Sequence, residues 1–307
     1  MRYLFLFLTT LVLFTSCKTS QQAVGSDGSA GIPKTENALL WEISGKDLKQ
    51  PSYLYGTIHM IGKEDFFLTD ATKEAFAKTN KVTFEINMED MTDMSKIMPL
   101  MMKAFMANDT TLQDLLTDDE YQQVADYFEK MGLPMMFLNR IKPMFLSALT
   151  SGGDVNIMDG GSSSDIMSYE IELMDMAKKE DKTIDGLETA EYQMSMFDSI
   201  PYKVQAKMLV ESINTEGGGE DQLAELVKLY KEQNLEAMQQ LMQDDKDGIG
   251  KYEDLLLIGR NKNWIPVMGK MMMEQPTFFA VGAGHLGGAE GVVALLRMEG
   301  YEVKPLK

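Results

Sequence analysis

The chain contains two histidines, and both lie at the end of the same four-residue pattern, Gly-x-x-His. His59 ends residues 56–59 (GTIH), near the start of the chain, and His285 ends residues 282–285 (GAGH), near its end. Each pattern follows an apolar run that predicts a strand, and the strand ends of α/β folds are where ligands and catalytic groups collect. We therefore expect the two imidazoles to form one shared site.

Glu85 also lies near the end of a predicted strand, residues 81–86 (KVTFEI). Imidazole and carboxylate groups are suitable ligands for Mn, Co, Fe or Zn, so His59, Glu85 and His285 are candidate metal ligands. With two histidines available, a three-histidine zinc site is excluded, and the sequence contains no HExxH motif of the common zinc proteases. The alternative is that both histidines are core residues at turns and that Glu85 lies on the surface.

Two further charged residues, Glu188 and Arg260, follow apolar segments. Glu188 comes after a short predicted strand, residues 182–186, and could transfer a proton as a second carboxylate; an acid at a helix N-terminus is an equal alternative. Arg260 follows the apolar residues 255–258, which we expect at the end of a helix. Its guanidinium could bind substrate or stabilise a developing oxyanion, and the alternative is a cation that interacts with the helix C-terminus.

The elements around these residues are strands at both ends of the chain and helices between them. Strands are predicted for residues 38–43, 52–58, 81–86, 277–281 and 301–305. Helices are predicted for residues 69–80 with Thr69 as N-cap, for a segment that begins with a capping box at 117–120, and for 165–179 and 288–298. The predicted fold class is mixed α/β (α+β), with a central sheet of N- and C-terminal strands and a large helical insert at about residues 90–270.

The first residues predict export and anchoring rather than fold. Residues 1–16 combine a basic Arg2 with an apolar run too short to span a membrane, as in a secretory signal. Residues 14–17 (FTSC) resemble a bacterial lipobox, so Cys17, the chain's one cysteine, is the predicted lipidation site. Residues 17–36 form a polar, Gly/Ser-rich tether ahead of a folded domain at 37–307. We expect a lipid-anchored, extracytoplasmic protein of the bacterial cell envelope; the alternative is a signal without lipidation.

Composition limits the partners. The net charge of −18 excludes a nucleic-acid partner, which would need a basic face. Among 27 methionines, several fall at helical spacing: Met91, Met94, Met98, Met101 and Met102. Such a stripe indicates core packing or, alternatively, a groove for an apolar peptide or lipid. The sequence predicts no particular oligomeric state.

The order of these motifs resembles the TraB/PrgY/GumN family, which is related to the Tiki membrane-associated proteases. The resemblance extends over about residues 39–306 and depends on the following segments: 40–43 (LWEI), 53–59 (YLYGTIH), 84–85 (FE), 141–143 (IKP), 165–177, 186–189 (GLET) with Gln193, 260–264 (RNKNW) and 281–286 (VGAGHL). Ser164 stands where we expect a family glycine before Asp165, so we assign no role to Asp165.

The resemblance implies a mixed α/β fold with a helical insert and a metal-dependent peptidase centre, with Mn or Co rather than Zn. It implies His59, His285 and Glu85 as metal ligands, with Glu188 and Arg260 in support. Our leading hypothesis is a lipid-anchored hydrolase of a peptide or protein substrate: Glu85 or Glu188 accepts the proton of a metal-bound water, and Arg260 stabilises the oxyanion. The alternatives are a metal-free hydrolase with a histidine as general base and a lipoprotein that sequesters a peptide.

Overall fold

The computed structural model describes residues 36–150, 166–214, 220–243 and 249–307. The predicted signal, the lipidation site Cys17 and the tether up to residue 35 lie outside these ranges, as do Ser164 and Asp165. Among the described residues, none of the helices combines the length and the apolar character needed to cross a lipid bilayer.

The described strands form one large sheet and one short pair. The strands of the large sheet are β1 (Leu40–Ser44), β2 (Ser52–Thr57), β4 (Lys81–Ile86), β6 (Thr183–Glu188), β7 (Thr277–Gly282) and β8 (Glu302–Leu306), while β3 (Ile61–Gly62) and β5 (Ile166–Met167) form a separate antiparallel pair. Within the described residues the order in the large sheet is β6-β4-β7-β2-β1-β8.

Four neighbouring strands of this sheet are parallel. β7 pairs in parallel with both β2 and β4, and β4 pairs in parallel with β6, whereas β1 is antiparallel to β2 and β8. All six residues of β2 are buried, and β7 is buried up to its last residue, as expected for strands covered on both faces. The carboxyl ends of β2, β4, β6 and β7 therefore meet at one edge of the sheet.

The helices account for most of the remaining described chain. They are α1 (Asp70–Ala77), α2 (Met94–Lys103), α3 (Leu112–Leu115), α4 (Asp118–Lys130), α5 (Met135–Leu138), α6 (Pro143–Thr150), α7 (Tyr169–Lys179), α8 (Ala190–Met196), α9 (Tyr202–Asn214), α10 (Glu220–Lys231), α11 (Leu235–Gln243), α12 (Gly259–Glu274) and α13 (Val292–Met298). Thr69 caps α1, and the capping box of Thr117 and Glu120 begins α4, as predicted.

Two separate groups of buried side chains hold these elements together. The sheet core contains the fully buried rings of Trp41, Tyr55, Phe84, Phe278 and Trp264. A second core lies within the helical insert and includes Leu112, Val124, Phe128, Leu146 and Leu209. The predicted mixed α/β class, with a sheet of N- and C-terminal strands and a large insert, is confirmed. One strand of the insert, β6, joins the sheet as an edge strand beside β4.

Several predicted boundaries and one helix end are wrong. The predicted helix at 165–179 begins at Tyr169, because Ile166–Met167 pairs with β3, and the one at 288–298 begins at Val292. Arg260 does not end a helix: Asp254–Ile258 is a π-helical turn that runs directly into α12, so Arg260 lies in the first turn of a 16-residue helix. Four consecutive apolar residues do not indicate which face of a helix is buried or where the helix ends. A π-helical turn also rotates the residues that follow it relative to a regular α-helix.

The methionine stripe is also placed differently from the core-packing interpretation. Met94, Met98, Met101 and Met102 are between 52% and 69% exposed. Within α2 the buried residue is Leu100. These methionines therefore form an exposed apolar face of α2 rather than part of either core.

Candidate active site

The parallel strand ends bring the predicted site residues to one place. His59 comes shortly after β2, Glu85 lies at the end of β4, and His285 ends a short 3-10 turn after β7. These three residues and Arg260 line one cavity of about 590 Å³. Glu188 ends β6 beside them. The structure thus brings together the residues that the sequence placed at strand ends.

Arg260 is the centre of the hydrogen-bond network. Its side chain is 8% exposed, and its Nη2 lies 2.6 Å from Oε2 of Glu85 and 2.6 Å from Oε1 of Glu188, while Nε donates to the same Glu188 oxygen at 2.9 Å. Its Nη1 lies 3.1 Å from Nε2 of His285 and donates to the carbonyl oxygen of Leu256 at 3.1 Å. A buried ion pair is tolerated when its donors and acceptors are all hydrogen-bonded, and this one meets that condition.

Three residues of the RNxxW motif surround His285. Oδ1 of Asn261 lies 2.6 Å from Nδ1 of His285, and the ring of Trp264 packs on the imidazole with centroids 4.4 Å apart. Positions three and four apart share a helix face, which is why Arg260, Asn261 and Trp264 reach the same ring. Nδ2 of Asn261 donates to the carbonyl oxygen of Glu290, which assigns Oδ1 to the histidine side. Nδ1 of His285 therefore carries the proton, and its Nε2 accepts from Arg260.

His285 is neutral at physiological pH. Its side chain is 5% exposed, and this burial lowers the pKa of the imidazole to about 4. The charged form of a buried imidazole is disfavoured because it loses its hydration.

Glu85 is ionised, although it is buried. Burial acts to raise the pKa of this carboxyl. The charges of His285, which is itself protonated in that acidic range, and of Arg260 and His59, together with the N–H of Gly282, outweigh burial and lower the pKa to about 2. Oε1 accepts from the Gly282 N–H at 2.8 Å and lies 3.6 Å from Nε2 of His285, and Oε2 accepts from Gln193 at 3.1 Å. With His285 neutral near pH 7, Arg260 supplies the cation for this carboxylate.

Glu188 binds Arg260 on the side away from the cavity. Its Oε2 accepts from the indole N–H of Trp264 at 3.0 Å, and its Oε1 accepts from Gln193 at 3.3 Å in addition to Arg260. Among the described residues, the cavity lining includes Glu85 but not Glu188. Of the two predicted proton-transfer carboxylates, Glu85 is therefore the one that reaches the cavity, and Glu188 holds Arg260.

The GLET segment explains how β6 reaches this position. A Cβ at Gly186 would lie 2.4 Å from the backbone nitrogen of Asn87 and 2.8 Å from the carbonyl carbon of Ile86. Only glycine therefore lets β6 approach the end of β4 so closely. Thr189, directly after the strand, caps α8, which carries Gln193 to both carboxylates.

The first glycine of each Gly-x-x-His pattern also sits at a close contact. A Cβ at Gly56 would lie 2.5 Å from Cδ1 of Leu286 and 3.1 Å from Cα of Ala283. A Cβ at Gly282 would lie 3.2 Å from Oε1 of Glu85. The two patterns therefore pack against each other and against Glu85, and a side chain at either glycine would be crowded by these neighbours.

His59 differs from His285 in exposure and in its partner. Its side chain is 71% exposed, and Nδ1 lies 3.1 Å from Oε1 of Glu170. The hydrogen bond to Glu170 raises the pKa of His59, an effect that solvent screens at this exposure.

Glu170 is a site residue that no motif in the sequence indicated. Its Oε1 also accepts from the hydroxyl of Thr57 at 2.8 Å, and its Oε2 accepts from the hydroxyl of Ser168 at 3.0 Å. Glu170 lies in the first turn of α7, which the pairing of β3 with β5 brings beside His59. The one signal in the sequence was Ser168, an N-cap residue two positions earlier, which marks where α7 begins.

Comparison with known proteins agrees with this arrangement of motifs. The model of the TraB/PrgY/gumN family matches residues 39–305. The chain belongs to this family.

Relatives with established names are distant but similar over most of the chain. The chain is 23% identical to Metalloprotease TIKI1 of Danio rerio, over 87% of the chain and 63% of that protein. It is 24% identical to Metalloprotease TIKI1 of Homo sapiens, over 98% of the chain and 68% of the relative, and 24% identical to Metalloprotease TIKI2 of Xenopus tropicalis, over 90% and 62%. The chain therefore spans about two thirds of the length of these relatives. No solved structure matches it.

The chemistry of this TraB-family site fits a divalent metal ion. Each imidazole has Nδ1 hydrogen-bonded to a side-chain oxygen, of Glu170 for His59 and of Asn261 for His285, which is the arrangement that orients metal-binding histidines. Nε2 of both rings and the carboxylate of Glu85 would then be the ligand atoms, although Nε2 of His285 and Oε2 of Glu85 both contact Arg260 in this structure. Within the described residues, no group of three or more His, Cys, Asp or Glu side chains is already arranged around a common metal position. Arg260 would have to turn away from Nε2 of His285.

Proposed function

We propose that the chain is a metal-dependent peptidase whose centre is formed by His59, Glu85 and His285. The observation that carries this proposal is the pair of imidazoles on one cavity, each fixed through Nδ1 by an oxygen of Glu170 or Asn261. The names of the TIKI relatives support a metal-dependent protease. Among the metals, we propose Mn or Co.

The ligands would be Nε2 of His59, Nε2 of His285 and the carboxylate of Glu85. Bound there, a divalent ion would polarise a scissile carbonyl and would lower the pKa of a bound water. Glu85 suits a ligand better than a base, because a carboxyl with a pKa of about 2 has little tendency to take up a proton near neutral pH.

Arg260 supplies the charge that stabilises the oxyanion. Its Nε and Nη2 contact Glu188 and Glu85, which keep the guanidinium beside the cavity. Nη1 contacts His285 and the carbonyl oxygen of Leu256, two residues that line the cavity. Released from His285, Nη1 donates to the carbonyl oxygen of a bound peptide, and a preorganised donor of this kind contributes about 10²–10³-fold to a rate. Arg260 is therefore both the substrate-binding residue and the oxyanion-stabilising one.

A metal-free hydrolase is the second candidate, and one contact favours it. His59 is exposed to solvent, and its Nδ1 is bonded to the Glu170 carboxylate, as in the base and its orienting acid of a catalytic triad. In that mechanism Nε2 of His59 takes the proton of the attacking water. His285 is the poorer base, because burial lowers its pKa to about 4.

We also propose that the protein acts outside the cytoplasm, anchored to the bacterial envelope through a lipid on Cys17. This proposal rests on the signal-like residues 1–16 and on the lipobox resemblance. Metabolic labelling with a radioactive fatty acid tests it: label should enter the wild-type chain and not Cys17→Ala. Label in both, or in neither, would contradict the anchor.

A cleavage assay tests the peptidase proposal. The full-length chain, in mild detergent, is incubated with a mixed peptide library before and after exhaustive chelation, and again with Mn or Co restored. The proposal predicts cleavage that chelation abolishes, that either metal restores, and that His285→Ala lacks. Cleavage that survives chelation assigns the metal-free mechanism. Tight peptide binding without cleavage, unchanged in His59→Ala and His285→Ala, assigns a sequestering lipoprotein.

A further inference from the structure

The cavity beside the histidines has two chemically different parts. The strand ends contribute polar groups, which include His59, Glu85 and His285. The helices contribute an apolar wall, made of Met144, Met196, Phe197, Met238, Leu256 and Leu257. None of these six side chains has a role in the network around Arg260.

The apolar wall is large enough to hold part of a ligand. The cavity volume of about 590 Å³ lies within the range of roughly 300–1,000 Å³ that is common for small-molecule sites. Water gains little in an apolar cavity, because it lacks hydrogen-bond partners there, so an apolar ligand group binds by displacing it. Three methionines in the wall allow it to adjust to different apolar shapes.

The wall is joined directly to the proposed centre. The backbone carbonyl of Leu256 accepts from Nη1 of Arg260 at 3.1 Å, and the same Nη1 contacts His285. Leu256 and its neighbour Leu257 both line the cavity from the π-helical turn, a kind of irregularity that is frequent at functional sites. A peptide whose carbonyl lies at Arg260 would therefore place an adjacent side chain against the wall.

We infer that the apolar wall is a specificity subsite that receives a large apolar side chain, such as Leu, Met or Phe, next to the scissile bond. This inference rests on the peptidase function proposed above. Glu253, directly before the π-helical turn that carries Leu256 and Leu257, also lines the cavity and disfavours an acidic residue at that position of the substrate. The substrate class is thus a polypeptide segment with a bulky apolar residue at the cleavage point.

Matched peptides test the subsite. In a cleaved peptide, the residue on each side of the bond is exchanged in turn between near-isosteric pairs, Leu against Asn and Met against Gln. The full-length chain should cleave the apolar member about 10–200-fold more efficiently in kcat/KM at one of the two positions. Leu257→Ala should reduce this preference about tenfold and move it towards Phe. Leu295→Ala, another half-buried leucine that does not line the cavity, should leave it unchanged.

The possible outcomes separate the subsite from the chemistry. Equal kcat/KM for apolar and polar members at both positions, or a preference that Leu257→Ala does not change, would overturn the subsite while leaving the peptidase in place. If no peptide is cleaved, the binding of the same peptide pairs is measured by calorimetry. Tighter binding of the apolar member that is lost in Leu257→Ala would support the subsite without the peptidase function. Equal binding of both members would overturn the subsite. If a fatty acid occupied the cavity and no peptide bound there, the inference of a peptide subsite would also be wrong.

Discussion

Nη1 of Arg260 lies 3.1 Å from Nε2 of His285, the nitrogen that a metal ion would use. Asn261 fixes the proton on Nδ1, so the lone pair on Nε2 is already accepting from the guanidinium. A bound cation and Arg260 therefore compete for the same lone pair. If a cation displaced Nη1 from His285, the hydrogen bond between Nε of Arg260 and Glu188 would keep the guanidinium in the site.

Removing Arg260 should destabilise the fold as well as abolish activity. Arg260→Ala leaves the buried carboxylates of Glu85 and Glu188 without their cation, and losing one partner of a buried pair costs about 3–5 kcal/mol of unfolding free energy. Arg260→Lys keeps the charge but lacks the planar fork that contacts both carboxylates, so a smaller loss is expected. Urea denaturation measures both, and kcat should fall about 10²–10³-fold.

Arg140 provides the control for this prediction. Its guanidinium is 50% exposed and pairs with Asp109 on the surface. Arg140→Ala should change the unfolding free energy by about 1 kcal/mol or less. If Arg260→Ala cost no more than Arg140→Ala, the buried network would not be holding the fold.

Acidification should destabilise the protein through Glu85 and His285. Both groups have a pKa that is lower in the folded chain, about 2 for Glu85 and about 4 for His285, than in the unfolded chain. The unfolded state then binds more protons, so their stabilisation is present above the unfolded pKa values and is lost as the pH falls through the folded ones. The unfolding free energy should fall from about pH 6.5 downwards, in total by a few kcal/mol.

The variant Glu85→Gln isolates the carboxylate part of this pH dependence. It removes the titrating group, so the decline of the unfolding free energy below about pH 4.5 should be shallower than in the wild type. Glu74→Gln, whose side chain is 73% exposed, should retain the wild-type curve. Denaturation curves at a series of pH values give the comparison, and identical slopes for all three proteins would rule out Glu85 as the source.

Glu170 should act on the site through His59 and not through the fold. Glu170→Gln weakens the hydrogen bond that orients the imidazole, and losses of this kind reduce metal affinity or activity about 10–100-fold. Glu172→Gln, in the same first turn of α7, is the matched control. Metal titration and thermal melting should show weaker binding in Glu170→Gln with an unchanged melting temperature; a melting temperature that falls in parallel would instead indicate a structural role.

The two pattern glycines should respond differently to alanine. Gly56→Ala places a Cβ 2.5 Å from Leu286 and 3.1 Å from the backbone of Ala283, so we expect a loss of about 1–3 kcal/mol from overpacking. Gly282→Ala places its Cβ 3.2 Å from the Glu85 carboxylate, so activity should fall more than stability. In Gly62→Ala the new Cβ meets only the end of the Glu64 side chain, which can swing away, and melting should change little.

The sequence predicted the strands because apolar runs are local signals, whereas the parallel pairing that brings their carboxyl ends to one edge joins residues far apart in the chain. Alternating and continuous apolar runs marked β2, β4 and β7, and the residues at their ends followed from that placement. Arg260 was recognised as a site residue, but its position in a helix was wrong, because the apolar residues 255–258 gave no phase and the π-turn cannot be read from them.

Glu170 could not be predicted because its placement depends on contacts distant in sequence. The pairing of Ile61–Gly62 with Ile166–Met167 and the contacts of Tyr169 with Phe67 bring the start of α7 to His59. Two-residue strands leave almost no pattern in a sequence. The same is true of the role of Glu188, which follows from β6 joining β4 at the edge of the sheet.

Metal content is the most direct test of the central claim that His59 and His285 form one metal site. The full-length wild-type chain and the variants His59→Ala and His285→Ala would be purified without chelator, offered Mn, Co or Zn, and analysed for bound metal, with circular dichroism to verify folding. We predict about one metal ion per wild-type chain and a loss in both variants. Folded wild-type protein that binds none of the three metals, or full occupancy retained in either variant, would contradict the account.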